Sequence, residues 1–201
     1  MLLGTGLTSL VFEVEAGAAL EYHRERVAAG EFWRLVTGQL VHWSTTMLVA
    51  DIGVLLLAGV LVARRSRQLL ILCLVVSAAA VGAGVHFLAP QLARYRGASG
   101  IASALVVTYA LDLARTPGPS RRAAGVGLVL FGVKLAYELA TGTSMLSGTC
   151  PPGVAVAPVA HLIGAASGAV AWSAVTNQWS DRRPPTLAAT IDLGRDPARS
   201  R

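Results

Sequence analysis

Charge is what this sequence has least of. Only 14% of its 201 residues are charged, against 54% hydrophobic, and the mean hydropathy is +0.58. Such a balance excludes an ordinary soluble globular domain and makes lipid the expected solvent for most of the chain. Cysteine is scarce too. Cys73 and Cys150 form no CxxC pair, and His23, His42, His86 and His161 fall in no HExxH or comparable spacing. Neither a metal centre nor a cofactor is expected. Aromatic residues make up 6%, and Lys134 is the single lysine. The net charge of +6 comes from short arginine clusters between apolar runs, without the aromatic interleaving of a nucleic-acid surface. Those clusters read as topology signals and as contacts for anionic membrane lipids, so no nucleic-acid partner is expected. The N-terminus lacks a basic n-region and the chain stays apolar far beyond it, which argues against a cleavable secretory signal.

What the sequence does have is long apolar runs. A bilayer core of about 30 Å takes about 20 apolar residues per helix, so the length leaves room for about five or six spans. The first, Met1 to Phe12, is short and meets Glu13 and Glu15 at once. Either it is tilted and extended, or the start of the sequence lies inside it. Glu21 to Gln39 is too polar to span, carries Trp33, and is expected to be a structured loop on the membrane surface. Further spans are expected at His42 to Ala63, Gln68 to Leu88, Gly97 to Arg115, Ala123 to Leu139 and Val154 to Val175. The fold class is therefore all-α, a polytopic bundle of six transmembrane helices over residues 1–176, with a disordered basic tail over 177–201. Arg64, Arg65 and Arg67, then Arg115, Arg121 and Arg122, and the tail arginines fall on one side of an alternating chain. The positive-inside rule makes that side cytoplasmic, with the bundle in the cell (inner or plasma) membrane and both termini in the cytoplasm. Cys73 and Cys150 then lie too far apart to bridge.

Two residues stand out for chemistry. Ser99, in YRGASG, and His161, in VAVAPVAHLIGAASG, sit near the external ends of the fourth and sixth spans, at similar depth. The amides and dipole at a helix start favour the negative charge that a serine nucleophile and its oxyanion develop. A neutral imidazole within reach takes the serine proton and later returns it to the leaving amine. Gly164 and Gly168 form a GxxxG one face from His161, and Gly97 and Gly100 flank the serine, so close helix packing would bring the pair together. GASG is not the GxSxG nucleophile elbow, because Ile101 stands where glycine is required. Lys134 and Glu138, spaced i,i+4 in the fifth span, are expected to neutralise each other, and Asp112 to pair with Arg115.

At these residues the chain resembles a rhomboid intramembrane serine protease from about Glu21 to Trp172. The likeness rests on Glu31, Trp33 and Arg34, on His42 nine residues after Trp33, on GxSG at Gly97 to Gly100, and on His161 with Gly164 and Gly168. LEYHRERVAAGEFWRLVTGQLVHW, YRGASG and KLAYELATG resemble the rhombosortase branch. That branch is associated with substrates ending in a Gly-Gly, a transmembrane helix and a basic cluster. The resemblance implies a six-helix bundle, a Ser99–His161 dyad, a membrane-anchored protein substrate cut near the external boundary, and support of the oxyanion site by His42, Asp51, Gly97 and Gly100. Three positions depart from the family pattern. Met47 and Asp51 stand where a histidine and an asparagine usually help hold the oxyanion, and Ser103 stands where a ring often packs on the histidine. Methionine donates no hydrogen bond, and an ionised aspartate repels an oxyanion unless burial keeps it protonated. Two other readings follow: a rhomboid-like protein that binds transmembrane segments and cleaves slowly or not at all, and a small transporter with Lys134, Glu138, Asp51 and His161 as a polar path.

Overall fold

The computed structural model describes residues 17–143 and 157–181, the last four as backbone only. The described chain is helical apart from one short ribbon. In order it contains β1 (Tyr22–His23), α1 (Arg24–Ala28), α2 (Arg34–Thr37), α3 (Thr45–Arg65), α4 (Arg67–Leu88), β2 (Arg94–Tyr95), α5 (Ser99–Ala114), α6 (Pro119–Thr141) and α7 (Pro158–Asp181). The second to sixth expected spans correspond to α3 through α7. Of these, α3, α4, α6 and α7 are long and apolar enough to cross a membrane, while α5 has 16 residues. The expected first span and Cys150 lie outside the described residues, as does the tail beyond the end of α7.

Local chemistry sets the helix ends. Ser44 caps α3 by accepting from the Met47 amide, and Ser66, in extended backbone between α3 and α4, caps α4 by accepting from the Leu69 amide. Pro119 opens α6, and Gly142 ends it with φ 66°, a left-handed conformation that glycine adopts without strain.

Helix α5 is the centre of the bundle and touches each of α3, α4, α6 and α7. Small residues permit this: Gly100, Ala102, Ser103, Ala104 and Ala110 are all buried on it. One core cluster joins Val81, Val85, Tyr95 and Ala160 near the start of α5, and another joins Ala58, Val62, Leu69, Leu105 and Ala171 toward its end. Helices α6 and α3 bury the least of their apolar stretches, 11% and 17%, against 39% for α4 and 44% for α7. Asp112 pairs with Arg65 of α3 at 3.4 Å, not with Arg115, whose guanidinium lies 5.8 Å from the Trp172 ring centre. The packing of α3 on α5 brings Arg65 to the same end, which spacing along α5 alone does not reveal.

The polar segment before α3 folds as a brace for the start of α5. β1 pairs antiparallel with β2, Tyr22 opposite Tyr95 and His23 opposite Arg94. Arg34, only 2% exposed, donates to the Ala18 and Glu21 carbonyls and to Glu31, so its charge is satisfied although buried. Arg24 donates to the Ala89 and Val85 carbonyls at the end of α4. The Glu21 carboxylate takes Arg96 at 2.9 Å and Arg94 at 3.6 Å. Trp33 stays 55% exposed, as an interfacial anchor does.

Candidate active site

The loop that delivers Ser99 is held from three sides. Gly97 has φ 132°, a value that side chains disfavour, and its amide donates to the Gly38 carbonyl at 3.1 Å. The Tyr95 hydroxyl donates to the Gly97 carbonyl at 2.9 Å. Burial pushes that hydroxyl well above the ordinary phenol range, the Asp51 charge adds to the rise, and a hydrogen bond with Ser99 offsets part of it, so Tyr95 remains a donor. The Ala98 amide donates to Asp51 Oδ2 at 2.9 Å.

The next residue, Ser99, is the first of α5, and the intrahelical ladder begins with Ala102 N donating to Ala98 O. The amides of Ser99, Gly100 and Ile101 precede that bond and form the positive end of the helix. Ser103 donates to the Ser99 carbonyl at 2.8 Å, which fastens the first turn.

His161 reaches this turn from α7. Its Nε2 lies 2.8 Å from Ser99 Oγ, across 62 residues of sequence, and the side chain is 7% exposed. Glycine makes the approach possible. A Cβ on Gly164 would stand 2.8 Å from the Gly100 carbonyl carbon, and one on Gly168 would stand 2.9 Å from that of Ala104. Thr108 Oγ1 donates to the Gly168 carbonyl at 3.0 Å and ties the same helix pair one turn further on. Gly100 meets Val81 and the Ala160 carbonyl in the same way, so its place is in the packing seam.

Two of the three departures from the family pattern, Met47 and Asp51, lie one helical turn apart on α3, over the serine loop. Met47 Cε would be 2.7 Å from a Cβ on Gly97, and Asp51 Oδ2 3.3 Å. Asp51 is 5% exposed and accepts from the Ala98 amide, while its Oδ2 lies 3.1 Å from His42 Nε2. The carboxyl oxygen that takes the Ala98 amide is thus also the one that faces His42. Asp51 Oδ2 is therefore engaged with the serine loop as an acceptor. His42 turns its other nitrogen, Nδ1, to a buried place without a partner among the described residues.

On α6, Lys134 and Glu138 pair at 2.8 Å as expected, but they also reach the histidine. Glu138 Oε2 lies 2.7 Å from His161 Nδ1, and Lys134 Nζ lies 3.3 Å from the same atom. The Glu138 side chain is fully buried. Two ionisable residues in an apolar span were the sequence signal for this contact. A cavity of about 230 Å³ opens beside the group, lined by Ser99, His161, Asp51 and Lys134 together with Val54 and Phe131. Serine oxygen and imidazole thus stand at its wall, with the Glu138 carboxylate buried behind the imidazole in the same hydrogen-bonded series, an arrangement able to deprotonate a hydroxyl and hand the proton on. Among the described residues no cluster of His, Cys, Asp and Glu has the makings of a metal site.

Comparison with curated proteins finds no matching relative. The rhomboid domain matches residues 29–178, about three quarters of the chain, from the brace through α7. This multi-pass membrane protein therefore belongs to the rhomboid family of intramembrane proteases.

Proposed function

We propose that the chain is an intramembrane serine endopeptidase in which Ser99 is the nucleophile and His161 the general base and acid. The observation that carries this reading is the 2.8 Å contact between Ser99 Oγ and His161 Nε2 at the wall of a cavity. Ser99 Oγ attacks the scissile carbonyl carbon as its proton passes to His161 Nε2. The proton then goes to the leaving amine, the C–N bond breaks, and water hydrolyses the acyl-serine by the reverse use of the same imidazole. The Ser99 amide, at the positive end of α5, is the donor aimed at the oxyanion. His42, Asp51 and Gly97 support it by fixing the loop, while Gly100, Gly164 and Gly168 set the distance between the helices.

The substrate is a membrane-anchored protein cut near the external boundary, where water has access and a helix can unwind to expose its carbonyls. The likeness of KLAYELATG and the first loop to rhombosortases points to substrates with a C-terminal Gly-Gly, helix and basic cluster. Positive-inside bias supports cytoplasmic termini for a cell-membrane protein. A fluorophosphonate probe tests the dyad. Purified protein is expected to label, and Ser99→Ala and His161→Ala to abolish labelling; a label that persists in Ser99→Ala removes Ser99 as nucleophile. Met47, which offers no donor beside Gly97, favours the second reading, a protein that binds transmembrane segments with little cleavage. Failure of the unaltered protein to label, together with retained binding of a Gly-Gly-helix-basic peptide, would establish that reading instead.

A further inference from the structure

A serine–histidine pair works only if the imidazole carries its proton on the nitrogen that faces away from the serine. Here that nitrogen is Nδ1, and two groups of opposite kind compete for it. Glu138 Oε2, at 2.7 Å, can only accept, which requires a proton on Nδ1 and leaves Nε2 free to take the serine proton. Lys134 Nζ, at 3.3 Å, can only donate, which would put the neutral ring's proton on Nε2 and disable it as a base. The shorter contact belongs to the carboxylate, and Lys134 Nζ lies 2.8 Å from that same oxygen, so its donation is directed to Glu138.

From this geometry we infer that Glu138 is a positioning residue that completes a Ser99–His161–Glu138 series by fixing the tautomer and orientation of His161. Lys134 balances the carboxylate charge in an apolar interior and holds Oε2 in place. The inference rests on the protease reading and extends it beyond a dyad. When His161 takes the serine proton, the imidazolium forms between the serine oxygen, now bonding to the scissile carbonyl carbon, on one side and a carboxylate on the other. Glu138 itself stays unprotonated throughout, so its effect is electrostatic and geometric. The other ionisable groups facing this region are few. Asp51 of α3 lies across the cavity, bound to His42 and the Ala98 amide, and Tyr95 lies beyond Ser99 with its hydroxyl on the Gly97 carbonyl.

The test compares the full-length protein with Glu138→Gln, Glu138→Asp, His161→Ala and the double variant His161→Ala/Glu138→Gln, in one detergent. The readouts are fluorophosphonate labelling rate and, for a Gly-Gly-helix-basic reporter, kcat and KM separately. Glutamine keeps the size of glutamate but offers an amide donor, so kcat and labelling are expected to fall by about 10²- to 10⁴-fold with KM nearly constant. Aspartate restores part of the loss, and glutamine has no further effect once His161 is gone, because Glu138 acts through that ring. A downfield proton resonance of the His161 Nδ1–H, present in Ser99→Ala and lost in Ser99→Ala/Glu138→Gln, reports the tautomer without any turnover. Labelling of Glu138→Gln at the unaltered rate overturns the role of Glu138 and leaves the protease reading intact. An unaltered protein that neither labels nor cleaves removes the protease reading and this inference with it.

Discussion

The distance between Ser99 and His161 is set by a missing methyl group, which makes Gly164→Ala the most direct test of how the fold builds the site. The added Cβ would lie 2.8 Å from the Gly100 carbonyl carbon, whereas ordinary contact begins at 3.4 Å, and the carbonyl oxygen is nearer still. The obstacle is backbone of α5, so no side-chain rotation relieves it. Separation of α7 from α5 by on the order of 1 Å is required to reach normal carbon contact distances. His161 lies one turn from Gly164 on the same helix, and its 2.8 Å bond to Ser99 would open beyond hydrogen-bond range. A displacement of this size costs about 10²-fold in rate. Stability moves less: alanine recovers about 1 kcal/mol of helix propensity, against about 1–3 kcal/mol of overpacking. The variant is therefore expected to fold, with a small loss of thermal stability and a large loss of labelling. Gly125→Ala on α6 is the control, because nothing lies within 4 Å of its added Cβ. Equal labelling rates for Gly164→Ala and Gly125→Ala would refute the claim that the glycine seam sets the distance of the pair.

Two further changes probe the serine loop. Tyr95 and Tyr22 both have hydroxyls raised above their ordinary value of 10 chiefly by burial, an effect that nearby Arg24 offsets in part for Tyr22. Their folded forms stay neutral while the unfolded chain ionises, so stability is intact below pH 10 and declines as pH rises through 10 toward the folded values. Tyr95→Phe is expected to cost about 1 kcal/mol near neutrality through loss of its bond to Gly97, and to flatten part of that alkaline decline in thermal melts. An unchanged slope above pH 10 would show that Tyr95 is not the titrating group. Met47→His places a donor over Gly97 and is expected to raise the labelling rate by up to about 10²-fold; no gain would mean that the Met47 position does not reach the oxyanion.

The spans were legible because lipid imposes a length and a composition on any helix that crosses it, and Ser44, Ser66, Pro119 and Gly142 mark ends by local rules. Ser99 and His161 were legible as a pair through their similar depth, the small residues beside each and the order of motifs along the chain. What could not be read is rotation about a helix axis. The i,i+4 spacing joins Lys134 to Glu138 whichever way α6 faces, so the same two residues fit a neutral pair or a clamp on His161. The departure at Asp51 was equally visible as a residue and invisible as a geometry: whether its carboxylate threatens an oxyanion or anchors Ala98 depends on which way α3 presents it. Asp112 shows the same limit, choosing Arg65 on a neighbouring helix over the arginine three residues away.

The two buried carboxylates near the nucleophile and base make opposite attachments with a common consequence. Asp51 ties α3 to the serine loop through the Ala98 amide and to His42, while Glu138 ties α6 to α7 through His161. An ionised carboxylate without such partners in this interior would cost several kcal/mol, so each helix has one docking position far more favourable than its neighbours. The point matters most for α6, which buries little apolar surface and gains little from packing that its lipid contacts would not also supply. A shift of α6 by one turn would leave its apolar contacts nearly unchanged but would strand Glu138 and Lys134 away from His161. The ion pair therefore fixes where α6 sits, and the arrangement that satisfies its charge is the one that orients the imidazole toward Ser99.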